Sequence, residues 1–243
     1  MLELPNVTLV SVGNGAGELT KEALKDCLKL VKPAAVHHWG NAPLGLGETH
    51  HMAHVSTMMG YVKILWRFIP FYVETSHLLH FQWDGWILNP EAWTDEFLTY
   101  DYVGALWPWH AYYRVGNGGF SLRSTYLMQH VAKYPDKFPE VKQEDEGLCR
   151  TYRAKLEAWG AKYAPEQMAK RFSVEHGRPG NLKPFGFHDC RNWPRLLGWE
   201  ETLRRVSLAN DYVKAKLEFK ALMKSVDYYR RTIGATASSQ AAD

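Results

Sequence analysis

Hydrophobic positions along the chain switch repeatedly between a period of two and a period near 3.6, the signature of strands alternating with helices. Val7–Gly13 is a β-branched run closed by Asn14-Gly15-Ala16-Gly17 and predicts a buried strand. From Thr20 to Val31, Leu24, Leu28 and Val31 fall on one helical face, and the helix ends before Pro33. Ala34–Trp39 predicts a second strand, so the opening reads as a parallel strand–helix–strand unit. Residues 40–49 form a Gly/Pro loop. His51–Trp66 predicts a helix with Val55, Met58, Met59, Val62 and Leu65 on its apolar side. His77–Trp83 predicts a third strand, ending in an Asp84-Gly85 turn. Pro90–Tyr100 predicts a helix with Pro90 in its first turn. Val115–Leu122 predicts a strand with a glycine-rich start, and Ser124 can cap a helix reaching Lys133. Glu144–Trp159 is the clearest helix, with Leu148, Tyr152, Leu156 and Trp159 on one face and Gly160 as its stop. Pro179–Pro194 predicts loop, and Trp199–Ile233 a basic helical tail before ten frayed residues. The expected fold class is α/β: a main domain over residues 1–198 with a mixed central sheet, a helical extension over 199–233, and a disordered tail over 234–243.

Composition narrows the class. With 46% hydrophobic and 23% charged residues, the 243-residue chain cannot be collagen-like, coiled-coil or disordered in bulk. Its 10 Trp, 13 Tyr and 10 Phe are enough to line a ligand cleft as well as a core. A net charge of +3 is too mild for a dedicated nucleic-acid binder, although basic residues gather toward the C-terminus. Cys27, Cys149 and Cys190 form no CxxC pair and fit a reducing compartment. The N-terminal MLELPNVTLVSVG has no basic region leading into an apolar stretch. The most apolar window, 62–73, is short and broken by Lys63, Arg67 and Pro70. A cytoplasmic protein is expected.

Four segments carry candidate chemistry. In FQWDGWILNP (81–90), Asp84 follows a strand end, where open α/β sheets place ligands and where a carboxylate can hold a divalent cation. Read alone, it is better explained as a simple Asp-Gly turn between two apolar runs. In VGNGGFSLRS (115–124), Asn117, Gly118 and Gly119 let backbone approach a ligand closely, or form a tight turn. In QEDEGLCRTYR (143–153), Glu144, Asp145 and Glu146 open a helix, complementing its dipole or presenting a general base. In FGFHDC (185–190), His188 is a ligand candidate only if Asp84 holds a metal. Two further patterns are weighed down by their spacing. Gly13-Asn14-Gly15-Ala16-Gly17 is GxGxG, not GxGxxG, and no acid ends the second strand, so a Rossmann dehydrogenase is rejected. His50 and His54 fall at i, i+4 on the expected helix but lack the HExxH glutamate, and read as a polar helix start.

In order, QWDGWILNPEAW, DYVGALW, VGNGGFSLRS, EDEGLCRTYR, RFSVE and FGFHD resemble a family of bacterial and phage glycosyltransferase-like proteins. More distantly, the chain is similar to the β-1,4-galactosyltransferases and other GT-A enzymes, over roughly residues 5–190. The resemblance implies a single GT-A-type domain, a nucleoside-diphosphate sugar as donor (a UDP sugar first) and Mn²⁺ or Mg²⁺. It maps the DxD-type metal motif onto Gln82-Trp83-Asp84, where Gln82 replaces the first acid and weakens the case for strict metal dependence. It makes Asp84 and His188 metal ligands and Asp145, preceded by Glu144, the catalytic base. Val12, Gly13, Gln82, Trp83, Asp84, Asn117, Gly118 and Gly119 would contact the donor. Trp86, Trp107, Trp109 and Phe187 would wall the sugar and acceptor.

The expected reaction is a metal-assisted, inverting glycosyl transfer: a base takes the acceptor proton on one face while charge on the departing diphosphate is neutralised on the other. The acceptor is a glycan or a hydroxymethylated base in phage DNA, the latter calling on Arg204, Arg205, Lys214, Lys216, Lys220, Arg230 and Arg231. Acids at Glu200, Glu201, Asp211, Glu218 and Asp227 interrupt that stripe. Two other classes compete. One is a non-catalytic nucleotide-sugar or glycan-binding module. The other is a zinc hydrolase built on the histidines between His37 and His54.

Overall fold

The computed structural model describes all residues except 14, 53, 54, 56, 178–182 and 241–243, and the backbone alone over 232–240. It divides into two compact units, Met1–His188 and Asp189–Asp243.

The first unit is built on a six-stranded sheet in the order β3-β2-β1-β4-β6-β5. These are β1 (Leu2–Val12), β2 (Val31–Gly40), β3 (Glu48–His51), β4 (His77–Phe81), β5 (Tyr102–Val103) and β6 (Phe120–Ser124). The first four pair in parallel, whereas β6 runs antiparallel to both β4 and β5. Every residue from Val7 to Val12 is buried, which is why the run reads as continuously apolar: both sheet faces are covered. The crossover α1 (Gly17–Leu30) buries Leu19, Ala23, Leu24 and Cys27 and returns the chain to β2, as the sequence predicts. A second, two-stranded parallel sheet joins β7 (Ser173–Val174) to β8 (Gly186–Phe187).

Three predicted elements change form. The helix expected over His51–Trp66 begins later. His50 pairs with Trp39 in the sheet, and the helix α2 (Met58–Lys63) starts only where Thr57 accepts a hydrogen bond from Gly60 N. It continues as a π-helical segment, Ile64–Phe68. The expected Pro90–Tyr100 helix is two 3-10 turns, Pro90–Ala92 and Asp95–Thr99, divided at Thr94, which caps the second. The strand expected to start at Val115 starts at Phe120, because Asn117 takes a left-handed φ of 64° that no strand accommodates.

Beyond the sheet, α3 (Thr125–Lys133) and the strong Glu144–Trp159 segment pack on the large core around Trp66. That segment is one helical path with a wider turn inside it: α4 (Glu144–Glu146), a π-helical Gly147–Thr151, and α5 (Arg153–Trp159). Gly147 sits where a Cβ would press on the Trp66 ring and Val141. A short helix, α6 (Glu166–Phe172), leads into β7.

The second unit contains α7 (Trp193–Leu197), α8 (Trp199–Ser207), α9 (Asp211–Lys214) and α10 (Leu217–Gln240). The single helical tail expected from Trp199 is interrupted where Asn210 caps α9. Trp199 stacks on Tyr229 at 4.2 Å. The helix α10 runs through residues expected to be frayed, and residues 241–243 of that tail lie outside the described residues. No helix among the described residues is long and apolar enough to cross a membrane.

Ser124 ends β6 and starts α3: its Oγ accepts from Leu127 N at 3.0 Å and donates to Asp101, which also holds Lys162 N. Ser124→Ala is expected to cost about 1–2 kcal/mol, read as a lower urea midpoint at unchanged slope. An unchanged midpoint would show that the cap contributes nothing.

Candidate active site

Antiparallel pairing of Phe81 with Phe120 sets the carboxyl end of β4 beside the amino end of β6. Gln82, Trp83 and Asp84 therefore leave the sheet next to Asn117, Gly118 and Gly119. A cavity of about 260 Å³ opens there, somewhat below the roughly 300–1,000 Å³ of small-molecule sites. Gln82, Asn117, Gly118, Gly119, Asp145 and His188 all line it.

One wall is organised by charge. Arg123 on β6 is fully buried, and its Nη1 and Nη2 each donate to Glu144 at 2.6 Å. This bidentate pair seats α4 on the Asn117–Gly119 turn. A Cβ on Gly118 would collide with Glu144 Oε1, so the turn needs glycine there. Gly118 N then donates to Asp145 Oδ2 at 2.9 Å, and Glu146 N to Asp145 Oδ1 at 2.9 Å. Withdrawal from solvent and the neighbouring Glu144 charge push the Asp145 carboxyl up to about 6, against the pull of those hydrogen bonds. Glu144, expected to share the catalytic role, has both oxygens committed to Arg123; it acts here as an anchor and as the charge that raises Asp145.

A relay of hydrogen bonds reaches the same turn from Gln82. Gln82 Nε2 donates to the Tyr61 hydroxyl at 2.9 Å, Tyr61 Oη lies 3.0 Å from His80 Nε2, and His80 Nδ1 lies 2.7 Å from Gly118 O. A carbonyl can only accept, so His80 donates from Nδ1 and accepts a hydrogen bond from the Tyr61 hydroxyl at Nε2. Burial holds the His80 imidazole neutral, with its pKa near 3.

The opposite wall is organised by strand ends. Val174 pairs with Phe187 in the parallel β7–β8 sheet, so Glu175 and His188 emerge side by side. Phe187 N donates to Trp86 O, and Gly85 has no room for a Cβ against Phe187 O and His188, which draws Asp84 to the same place. His188 Nδ1 lies 3.0 Å from Glu175 Oε1, and His188 Nε2 lies 3.3 Å from Asp84 Oδ1. Burial would depress the His188 pKa, but the charges of Asp84 and Glu175 outweigh it and hold it well above the ordinary value. Asp84 is 4% exposed, and its Oδ1 makes no hydrogen bond within geometric limits. Once a cation displaces the Nε2 proton, that imidazole nitrogen and the buried Asp84 oxygen facing it form a fitting donor pair, with Nδ1 already fixed by a second carboxylate.

Other expected contacts divide. Trp107 and the 57%-exposed Trp109 line the cavity, and Trp109 packs edge-on against His176 at 4.5 Å. Trp86 and Phe187 do not: they are 2% and 0% exposed and pack on each other at 4.6 Å, so they are core rather than sugar wall. Trp83 is likewise buried. Val12, the last residue of β1, and Gly13 after it lie outside the cavity lining, where Gly13 packs against the His38 ring. Among the histidines between 37 and 54, His38 turns to Ser11 at 2.8 Å, and His54 lies outside the described residues. Glu175, Tyr61, His80 and Arg123 are site residues that sequence reasoning missed. Glu175 closes the RFSVE segment, but only the two-residue pairing of β7 with β8 brings it to His188.

Residues 49–188, more than half of the chain, match the family described as "Protein of unknown function (DUF5672)". The chain belongs to this family. No curated protein matches the sequence. Among solved structures, it is similar to a glycosyltransferase involved in glycosylation of the major capsid of PBCV-1. That likeness has 13% identity and a TM-score of 0.51, and covers 75% of this chain and 92% of that one. It is also similar, at 13% identity and a TM-score of 0.43, to the galactosyltransferase LgtC in complex with donor and acceptor sugar analogs, covering 89% of this chain and 99% of that one. At this identity the first likeness establishes the fold. The family member is a mixed α/β protein with a mostly parallel central sheet of the GT-A type and helices at its C-terminus.

The Arg123–Glu144 pair makes a sharp demand. Glu144→Gln keeps the volume but leaves a fully buried guanidinium without its anion, at a cost of about 3–5 kcal/mol. Chemical denaturation measures it, and a loss below about 1 kcal/mol would show that the pair behaves like a surface one.

Proposed function

We propose that the protein is a glycosyltransferase that moves a sugar from a nucleoside-diphosphate sugar to a saccharide hydroxyl with inversion. The observation that carries this reading is one cavity lined by the Asp145 carboxylate, poised near pKa 6, and by His188, with the buried Asp84 3.3 Å behind the His188 ring, in a GT-A-type fold. Asp145 is the proton acceptor. Two backbone N–H groups fix its orientation, yet each oxygen keeps a further lone pair for a substrate hydroxyl. As the acceptor oxygen bonds to the anomeric carbon, its proton passes to Asp145 and the bond from that carbon to the diphosphate oxygen breaks.

Asp84 and His188 would hold a divalent cation, with Glu175 keeping the His188 ring in place through Nδ1. A bound cation there would neutralise charge on the leaving diphosphate. Gln82, in the position of the first acid of the motif, is neutral and tied to Tyr61, so any carboxylate ligation on this strand end comes from Asp84. UDP sugars are the donors to test first. Trp109, exposed at the rim, offers a flat apolar face to a sugar acceptor. The alternative DNA acceptor gains little from the second unit, where Arg204 and Arg205 both engage Glu201.

Asp145→Asn is expected to lower kcat for transfer about 10²–10⁴-fold with donor KM nearly unchanged; turnover close to normal would remove the base assignment. The base must be ionised to act, so kcat/KM, which reports the free enzyme, should fall as pH drops through about 6 and level off above it. A profile flat from pH 5 to 8 would contradict the role. Asp84→Ala is expected to abolish any difference in donor affinity between Mn²⁺ and excess EDTA; an unaltered difference would remove the metal assignment.

A further inference from the structure

A second side-chain cluster lies away from this cavity, on the edge of the sheet. In the register of β2 with β3, His37 stands opposite Glu48 and Trp39 opposite His50. Residues two apart on a strand share a face, so these four side chains project on one side. There His37 Nδ1 and His50 Nε2 come within 2.9 Å. Glu48 Oε2 lies 3.6 Å from His37 Nδ1, and Glu48 Oε1 lies 3.8 Å from His50 Nε2. His50 is held flat against Trp39 at 4.3 Å and met edge-on by Tyr72 at 4.9 Å.

We propose that His37, His50 and Glu48 form a zinc-binding site that clips the edge strand β3 to β2. Ligand atoms at about 2.0–2.2 Å from a tetrahedral zinc lie about 3.3 Å from one another. The two imidazole nitrogens are 2.9 Å apart, and with one carboxylate oxygen of Glu48 the three ligand atoms are already gathered within 4.8 Å of one another, so a small swing of Glu48 brings them to that spacing. Two imidazole nitrogens and one carboxylate oxygen form a donor set that favours zinc over the hard cations Mn²⁺ and Mg²⁺. Glu48 is 65% exposed, so it swings onto the ion at little cost, and a water completes the fourth position. The imidazoles are the more buried partners and set the geometry. Gly45 and Gly47, both at positive φ, make the turns that bring Glu48 back beside β2, so the ion would close this loop onto the sheet.

The site is independent of the glycosyl-transfer reading and is tested apart from it. The full chain carrying Asp84→Ala and His188→Ala, stripped of metal by chelator and dialysed, is titrated with Zn²⁺. The expected result is one equivalent bound, with an affinity at least about 100-fold above that for Mn²⁺. Glu48→Gln, on an exposed side chain, should preserve the fold and weaken zinc at least about 10-fold; His50→Ala should abolish binding. With Co²⁺ in place of Zn²⁺, visible absorption of a four-coordinate ion should appear and vanish in the Glu48 and His50 variants. No zinc bound in the parent double variant, or binding that Glu48→Gln leaves unchanged, would overturn the proposal.

Discussion

The guanidinium of Arg123, with no exposed surface, is carried by β6 between β4 and β5, and the charge of Glu144 makes that tolerable. Removing a charge from water costs several kcal/mol unless an opposite charge meets it with good geometry. The Arg123–Glu144 pair meets that demand with two bonds of 2.6 Å. In doing so it sets the first turn of α4 against the Asn117–Gly119 turn and leaves Gly118 no space for a side chain. Asp145 is thereby delivered to the cavity already oriented by backbone N–H groups. Burial first, and then the charge of the anchoring carboxylate, lift its pKa, so the contact that seats α4 also shapes the electrostatics of Asp145.

The second wall depends on backbone rather than charge. Strands of only two residues, β7 and β8, line up Glu175 with His188, and the tight passage at Gly85 lays Asp84 alongside. Asn117 links the two walls: its left-handed backbone is held by a hydrogen bond from Tyr102 to its carbonyl, and its amide lies 3.3 Å from His188 Nδ1. The GT-A-type sheet thus acts as a frame on which two unrelated local devices, an ion pair and a short strand pair, face each other.

Sequence patterning made some of this legible. The opening strand–helix–strand unit follows from simple periodicity and appears as expected, and the Glu144–Trp159 segment is helical as expected but widens into a π-helical stretch at Gly147–Thr151. The His51–Trp66 helix did not appear as expected, because its first residue, His51, pairs with Gly40 in the sheet and overrides the local helical pattern, and Thr57 was the true cap. The candidate segments around Asp84, Asn117, Asp145 and His188 meet at one place. Their partners were hidden. Arg123 reads as an ordinary strand residue until Glu144, 21 residues away, is brought onto it. Trp86 and Phe187 show the reverse error: aromatic residues adjacent in sequence to a site turn inward and become core.

The central claim is that this cavity takes a nucleoside-diphosphate sugar together with a divalent cation. The most direct measurement is a thermal-shift panel of nucleoside-diphosphate sugars, each with Mn²⁺, Mg²⁺ or EDTA. A ligand held at about 100 times its dissociation constant stabilises the folded state by about 2.7 kcal/mol. At least one donor should raise Tm markedly with a cation and far less in EDTA. No shift from any donor with either cation would contradict the claim.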